Sequence, residues 1–322
     1  MTTRTLAAAA LLCAASAALA AEAAPQIYEV RHFAGTVGRT KAFASLRFGD
    51  GEVKGEYAYA SIPYGSSGWL SMAGTLAPDG AVEIDESTVA EVGSSGVPME
   101  SGHFSGRVDG ARSRLTGTWS APEGSKGAGK PLPFDFSAFA RTVAWGDAPD
   151  RRILLLEFLD LKPDIARLAN DEVRAHAERL LAGSQVQPAK PCCGYVPTFW
   201  SDRLVSVVFE GARDGQTVHE GLLFGYKGGK LARLAVEDVL RIDASWPKRL
   251  DALVKALHYD ALDCPTQLNG IAITGRGALR LFVGCKPGTG KFPEQALLVP
   301  AKDVGALLVP GGPAASVIGK KK

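Results

Sequence analysis

Lys54-Gly55-Glu56-Tyr57-Ala58-Tyr59-Ala60 decides the fold class of the first half of the chain. In an extended strand Tyr57 and Tyr59 share one face, the period of two expected of a half-buried β-strand. The step from glycine to an aromatic two residues later recurs at Gly102-His103-Phe104 and Gly117-Thr118-Trp119. Glycine inside a strand removes the Cβ that resists sharp coiling, so these strands belong to a strongly curved sheet. Outward from this stretch, residues 69–76 run into Pro78-Asp79-Gly80, a hairpin signal, and 81–84 return from it. Segments 103–108, 115–119 and 134–139 continue the series. Roughly six to eight strands between residues 28 and 139 fit an all-β antiparallel barrel or a curved sheet. Tyr57, Tyr59, Trp69 and Trp119 are expected mostly to pack the interior. Tyr64, in the loop Pro63-Tyr64-Gly65-Ser66-Ser67-Gly68, is placed for exposure and is a candidate ligand contact.

The grammar changes after Gly146-Asp147-Ala148-Pro149-Asp150. Residues 152–158 read as an apolar strand. Residues 164–182 form an amphipathic helix, with Ile165, Ala169, Val173, Ala177 and Leu181 on one stripe and Gly183 as the stop. Segment 204–210 is a strand, and 221–226 with 230–234 make a hairpin over Gly228-Gly229. A helical turn at 236–240, a helix at 247–258, strands at 278–283 and 295–299 and a short helix at 302–308 complete the pattern. The expected architecture is two domains. A β-rich one spans 27–145, and an α+β one spans 150–312 with helices packed on a mostly antiparallel sheet. Residues 313–322, ending in Lys320-Lys321-Lys322, are expected to be a flexible tail.

The first twenty residues have the three parts of a secretion signal: Arg4, an uncharged apolar stretch, and Ala18-Leu19-Ala20 before a cut after Ala20. The apolar stretch is shorter than the roughly 20 residues that cross a bilayer. The expected location is therefore periplasmic or secreted, with no membrane span after cleavage. The chain carries 36 basic and 34 acidic side chains, a formal net charge of +2. Such a balance argues against nucleic acid as a partner, which favours a one-signed basic surface. Beyond Cys13, the cysteines are Cys192, Cys193, Cys264 and Cys285. An even number in an exported chain reads as two disulfides, with Cys192 and Cys193 each pairing with one of Cys264 and Cys285. The C-x-x-C spacing of a zinc or redox site is missing.

Several short motifs of the second half, in order, resemble the extracytoplasmic domain of unknown function at the C-terminus of the anti-sigma factor RsiV and the peptidoglycan deacetylase PdaC. They are Leu168-Ala169-Asn170, Leu204-Val205-Ser206-Val207-Val208-Phe209, His219 before Leu222-Leu223-Phe224, Gly229-Lys230-Leu231 with 234–240, and Leu298-Val299-Pro300. The chain departs from that pattern at Thr217-Val218, where the family has Gly-Ala, and in its four cysteines. The resemblance implies an extracytoplasmic α+β domain used for binding.

No constellation compels a reaction. The five histidines His32, His103, His176, His219 and His258 lack metal-ligand spacing. Helical phase places His176 and His258 toward the polar side. His219, in a turn at the start of a hairpin, is the candidate binding residue of this half. Pro287-Gly288-Thr289-Gly290-Lys291 fails the Walker spacing at Cys285 and Phe292. No cofactor or metal is implied. The first expectation is a non-enzymatic envelope protein that binds a cell-wall polymer such as peptidoglycan, or an envelope protein partner. The alternatives are a hydrolase of envelope polysaccharide or peptide and a small-ligand carrier built on the β half.

Overall fold

The computed structural model describes residues 29–59, 69–88, 99–125, 127–145, 153–182, 194–213, 216–256, 266–274, 277–285 and 295–318. Strands β1 (Glu29–Val37), β2 (Thr40–Gly49), β3 (Glu52–Tyr59), β4 (Leu70–Leu76), β5 (Ala81–Thr88), β6 (Glu100–Val108), β7 (Arg114–Ser120) and β8 (Leu132–Trp145) each pair antiparallel with the next. β8 also pairs with β1, from Val30↔Thr142 to Val37↔Phe134, and this closes an eight-stranded barrel. Of the two shapes expected for the first half, the closed barrel is the one that forms. Pro78-Asp79-Gly80 turns β4 into β5 as its sequence implies. Asp79 Oδ1 accepts the Ala81 N–H at 3.1 Å, and Gly80 takes φ 89°.

Inward-facing side chains fill the barrel. Tyr57, Phe104, Phe134 and Phe136 meet mostly edge to face at centroid separations of 5.2–6.3 Å. Glycines make the room for these rings. Gly106 and Gly117 face each other across β6 and β7. A Cβ on Gly117 would lie 2.2 Å from the Ser105 carbonyl oxygen and 2.9 Å from the Phe134 ring. One on Gly106 would lie 2.8 Å from the same ring. The barrel thus alternates large and absent side chains, the arrangement that fits a small closed sheet.

β8 does not end at the barrel. From Ala140↔Phe158 to Trp145↔Ile153 it pairs with β9 (Ile153–Phe158). β10 (Gly194–Trp200) joins β9 in parallel at Gly194↔Leu154, and β11 (Leu204–Arg213), β12 (Gln216–Lys227) and β13 (Lys230–Leu234) follow antiparallel. One thirteen-stranded sheet therefore runs through both halves.

The second half has three layers. α1 (Pro163–Ala182) lays Ile165, Ala169, Val173 and Ala177 on one face of the extended sheet, against Leu155, Val207 and Phe224. Asn170 in α1 accepts the Phe158 N–H at 2.8 Å and donates to the Phe158 carbonyl at 3.2 Å, pinning the helix to β9. The opposite face is covered by a small antiparallel sheet of β14 (Thr266–Ile273), β15 (Leu279–Cys285) and β16 (Gln295–Val299). Helices α2 (Val236–Val239), α3 (Trp246–Ala256), α4 (Ala301–Val304) and α5 (Ala315–Ile318) pack around it. The α+β expectation holds coarsely: α1 covers one face of the sheet, while the strands expected at 278–283 and 295–299 belong to a second, smaller sheet.

Of the expected tail, Lys320-Lys321-Lys322 lie outside the described residues, whereas its first part packs on the core. Ala314 is buried, and α5 packs on the core, with Ile318 against Gly277. Cys285 ends β15 and is disulfide-bonded. Ala20, Tyr64, Cys192, Cys193, Cys264, His258 and the boundary at 146–150 lie outside the described residues.

The substitution Gly117→Ala would drive a methyl group into a carbonyl and a ring that cannot both retreat. We expect a loss of about 2 kcal/mol or more, of the order seen on overpacking a core. Urea unfolding of the purified variant measures it, and an unchanged midpoint would contradict the packing described.

Candidate binding site

The outer wall of the barrel carries three cross-strand rungs where β1 meets β2: His32 opposite Ser45, Ala34 opposite Phe43, and Thr36 opposite Lys41. Alternation aims these side chains away from the barrel core, which Phe33, Val37, Ala42 and Ala44 enter from the same strands. β10 lies against this wall. Its register shifts between Pro197 and Phe199, and the ring of Trp200 stacks on Phe139 of β8 at 3.7 Å and 10°. Phe43 meets the same indole edge-on at 5.0 Å.

Between wall and strand lies an open groove of about 470 Å³, lined by Ala34, Gly35, Thr36, Lys41, Phe43, Phe199 and Trp200. That volume is within the ordinary range of ligand sites. Beside it is a cavity of about 40 Å³, whose lining includes His32, Ser45, Trp69 and Thr198. This space suits one or two waters. Among the described residues neither lining includes a carboxylate.

His32 is the chemically distinctive group here. Its Nδ1 is 2.9 Å from Ser45 Oγ, and its Nε2 is 2.7 Å from Thr142 Oγ1. Burial pushes its pKa down to about 4, so the ring is neutral and one nitrogen donates while the other accepts. Ser45 and His32 have the spacing of a nucleophile and its base. A base of that pKa takes a proton poorly at neutral pH, and a hydroxyl stands where an orienting carboxylate would help. The arrangement suits a fixed polar floor better than a reaction.

Of the residues singled out from sequence, His219 is not in a turn but within β12, opposite Glu210. Its ring lies flat on Phe282 of β15, 5.0 Å away at 4°, where the small sheet meets the large one. His219 is thus committed to joining two layers.

His176, expected on the polar side of its helix, is buried. Its Nδ1 is 2.7 Å from the Tyr195 hydroxyl and its Nε2 is 2.9 Å from Glu220 Oε2. The bond to His176 holds the Glu220 carboxyl below the usual range, and Arg233 adds a contact at 3.3 Å. A signal for this site existed, since position 176 follows Val173 by three and falls on the apolar stripe.

Two more titratable clusters lie on the barrel. His103, half-exposed on β6, is held between Asp85 at 2.7 Å and Glu83 at 2.8 Å, and the Asp85 bond raises its pKa. Glu86 points into the barrel and is buried. It accepts from Ser101 Oγ at 2.8 Å and from Trp119 Nε1 at 3.3 Å, and burial raises its pKa. Trp119 reaches it by lying on Gly102, where a Cβ would be 2.2 Å from the indole nitrogen. Among the described residues no group of three or more His, Cys, Asp or Glu side chains could hold a metal ion.

A carboxyl whose folded pKa exceeds its unfolded value takes up a proton on folding between the two, so stability falls as pH rises through that window. Glu86→Gln keeps one acceptor for Trp119 and cannot ionise. We expect the variant to gain stability over the wild type as pH rises from about 4 to about 8. Urea unfolding across that range measures it, and a stability difference independent of pH would contradict the assignment. No protein-family model matches the chain, and no curated protein matches it.

Proposed function

We propose that the chain is an exported, non-catalytic protein of the cell envelope that binds a cell-wall polymer in the groove between barrel and β10. The observation that carries the reading is an open groove floored by the rings of Phe43 and Trp200, held in place by the stack of Trp200 on Phe139. Flat apolar ring faces suit the apolar faces of sugars, and the open shape suits an extended chain. The leader-like first twenty residues and the motifs resembling the RsiV and PdaC domain agree with an extracytoplasmic binding role. A protein partner in the envelope is the other occupant that the groove could take.

A hydrolase of the same polymer would call for paired carboxylates in the cleft, and among the described residues the groove lining holds none. A small-ligand carrier would call for a hollow barrel, and the rings of Tyr57, Phe104, Phe134 and Phe136 occupy this one.

Isolated sacculi should pellet the purified protein at low salt, and part of that pelleting should persist at raised salt because ring stacking is little screened. Trp200→Ala should abolish it. Protein that stays in the supernatant at low and high salt would sink wall binding and turn attention to a protein partner.

Export also implies two disulfides, with Cys192 and Cys193 each paired to Cys264 or Cys285. A thiol titration of unreduced, unfolded protein should find no free thiol among these four, whereas two or more would overturn the pairing.

A further inference from the structure

Resting on that reading, we infer that the groove selects an acidic glycan, one carrying sugar-borne carboxylates, with Lys41 as the residue that reads the charge.

The argument starts from the rung that forms one end of the groove. Thr36 lies between Lys41 on β2 and Asp135 on β8, since both are its register partners. Side chains of such partners stand on one face of the sheet. Lys41 is exposed and forms no ion pair among the described residues. The carboxylate that could neutralise this row is already occupied. Asp135 is gripped by Arg114 through two bonds, 2.8 Å from Nη2 and 3.1 Å from Nε, and that bond holds the Asp135 carboxyl below its usual range. Arg39, in the turn between β1 and β2, is a second exposed cation without an ion pair among the described residues.

Among the described residues the groove therefore presents a neutral aromatic floor, a threonine hydroxyl and an ammonium without an ion pair at one end, with no carboxylate in its lining. A neutral polysaccharide would use the rings and leave Lys41 idle. A nucleic acid would call for a broader basic surface than one lysine and one arginine. A glycan that alternates a stacking face with a carboxylate uses every feature. The ammonium acts as a point charge on a flexible stem, so it can follow a carboxylate on a polymer with some freedom.

The test uses the full chain and two soluble probes of equal length. One is a tetrasaccharide of alternating N-acetylglucosamine and N-acetylmuramic acid, which carries carboxylates. The other is chitotetraose, which carries none. Calorimetric titration should show the carboxylated probe binding more tightly, with affinity that falls as salt rises. Lys41→Gln should weaken that probe by about twofold to fivefold, the worth of one exposed ion pair, and leave chitotetraose unchanged. Trp200→Ala should remove binding of both, and Phe43→Ala serves as the second groove variant should the loss of Trp200 disturb folding.

If both probes bind equally and Lys41→Gln alters neither, the charge selection is wrong while the groove reading stands. If the groove variants bind both probes as the wild type does, or if neither probe binds, the groove reading fails and this inference with it.

Discussion

The double pairing of β8 is the constraint on which the rest depends. Along its first part it closes the barrel against β1, sending Phe134, Phe136 and Ala138 into the core. At Phe33↔Ala138 and His32↔Ala140 the register slips by one residue, leaving Phe139 as the extra member of a β-bulge. A bulge re-aims a side chain, and here it turns Phe139 out of the barrel and under Trp200. The carbonyl of the same residue accepts the Leu159 N–H at 2.8 Å, where the chain leaves β9 for α1. One irregular residue thus serves barrel closure, the start of the second half and the floor of the groove.

Because the barrel spends its interior on its own rings, any binding surface must be sought outside it. The outer wall between β1 and β2 is the part that the second half partly covers, and partial cover is what turns a convex wall into a groove. The same rungs would be an ordinary solvated surface if β10 were absent. The candidate site is therefore a product of the continuous sheet and belongs to neither half alone.

Much of this was legible in the sequence, and the failures have physical causes. Alternation and the glycine-to-aromatic steps identified the curved strands, because a buried face and a Cβ-free crossing leave local marks at Gly102, Gly117 and Trp119. Pro78-Asp79-Gly80 and Gly228-Gly229 marked their hairpins through backbone preference alone. Pairing of β8 with β9 left no such mark, since the loop residues at 146–150 do not say whether the strands on either side of them pair. β10 escaped because Pro197 interrupts it, and a proline in a strand normally argues against one. With β10 missed, Trp200 and the groove were missed too. His219 was misplaced because β12 begins earlier than its apolar run does, and a polar start to a strand is indistinguishable from a turn. His176 was misassigned for a different reason, its polarity outweighing its phase on α1.

Polar groups inside the second half explain why the groove is held open in a fixed shape. Ser206 Oγ accepts both the Thr198 hydroxyl at 2.9 Å and the Ile273 N–H at 3.0 Å, so a residue of β10, one of β11 and the edge of β14 meet at a single buried atom. Asn170 ties α1 to β9, and His176 ties it to Tyr195 of β10 and Glu220 of β12. β10 is therefore fastened from both faces, by Thr198 on one and Tyr195 on the other. A buried polar group that loses its partner costs more than the bond contributes, so each tie resists displacement of the strand. Trp200 sits two residues beyond Thr198, on a strand that has little freedom to retreat. A surface fixed in this way would spend little binding energy on ordering itself, which suits the proposed recognition of an extended, flexible polymer.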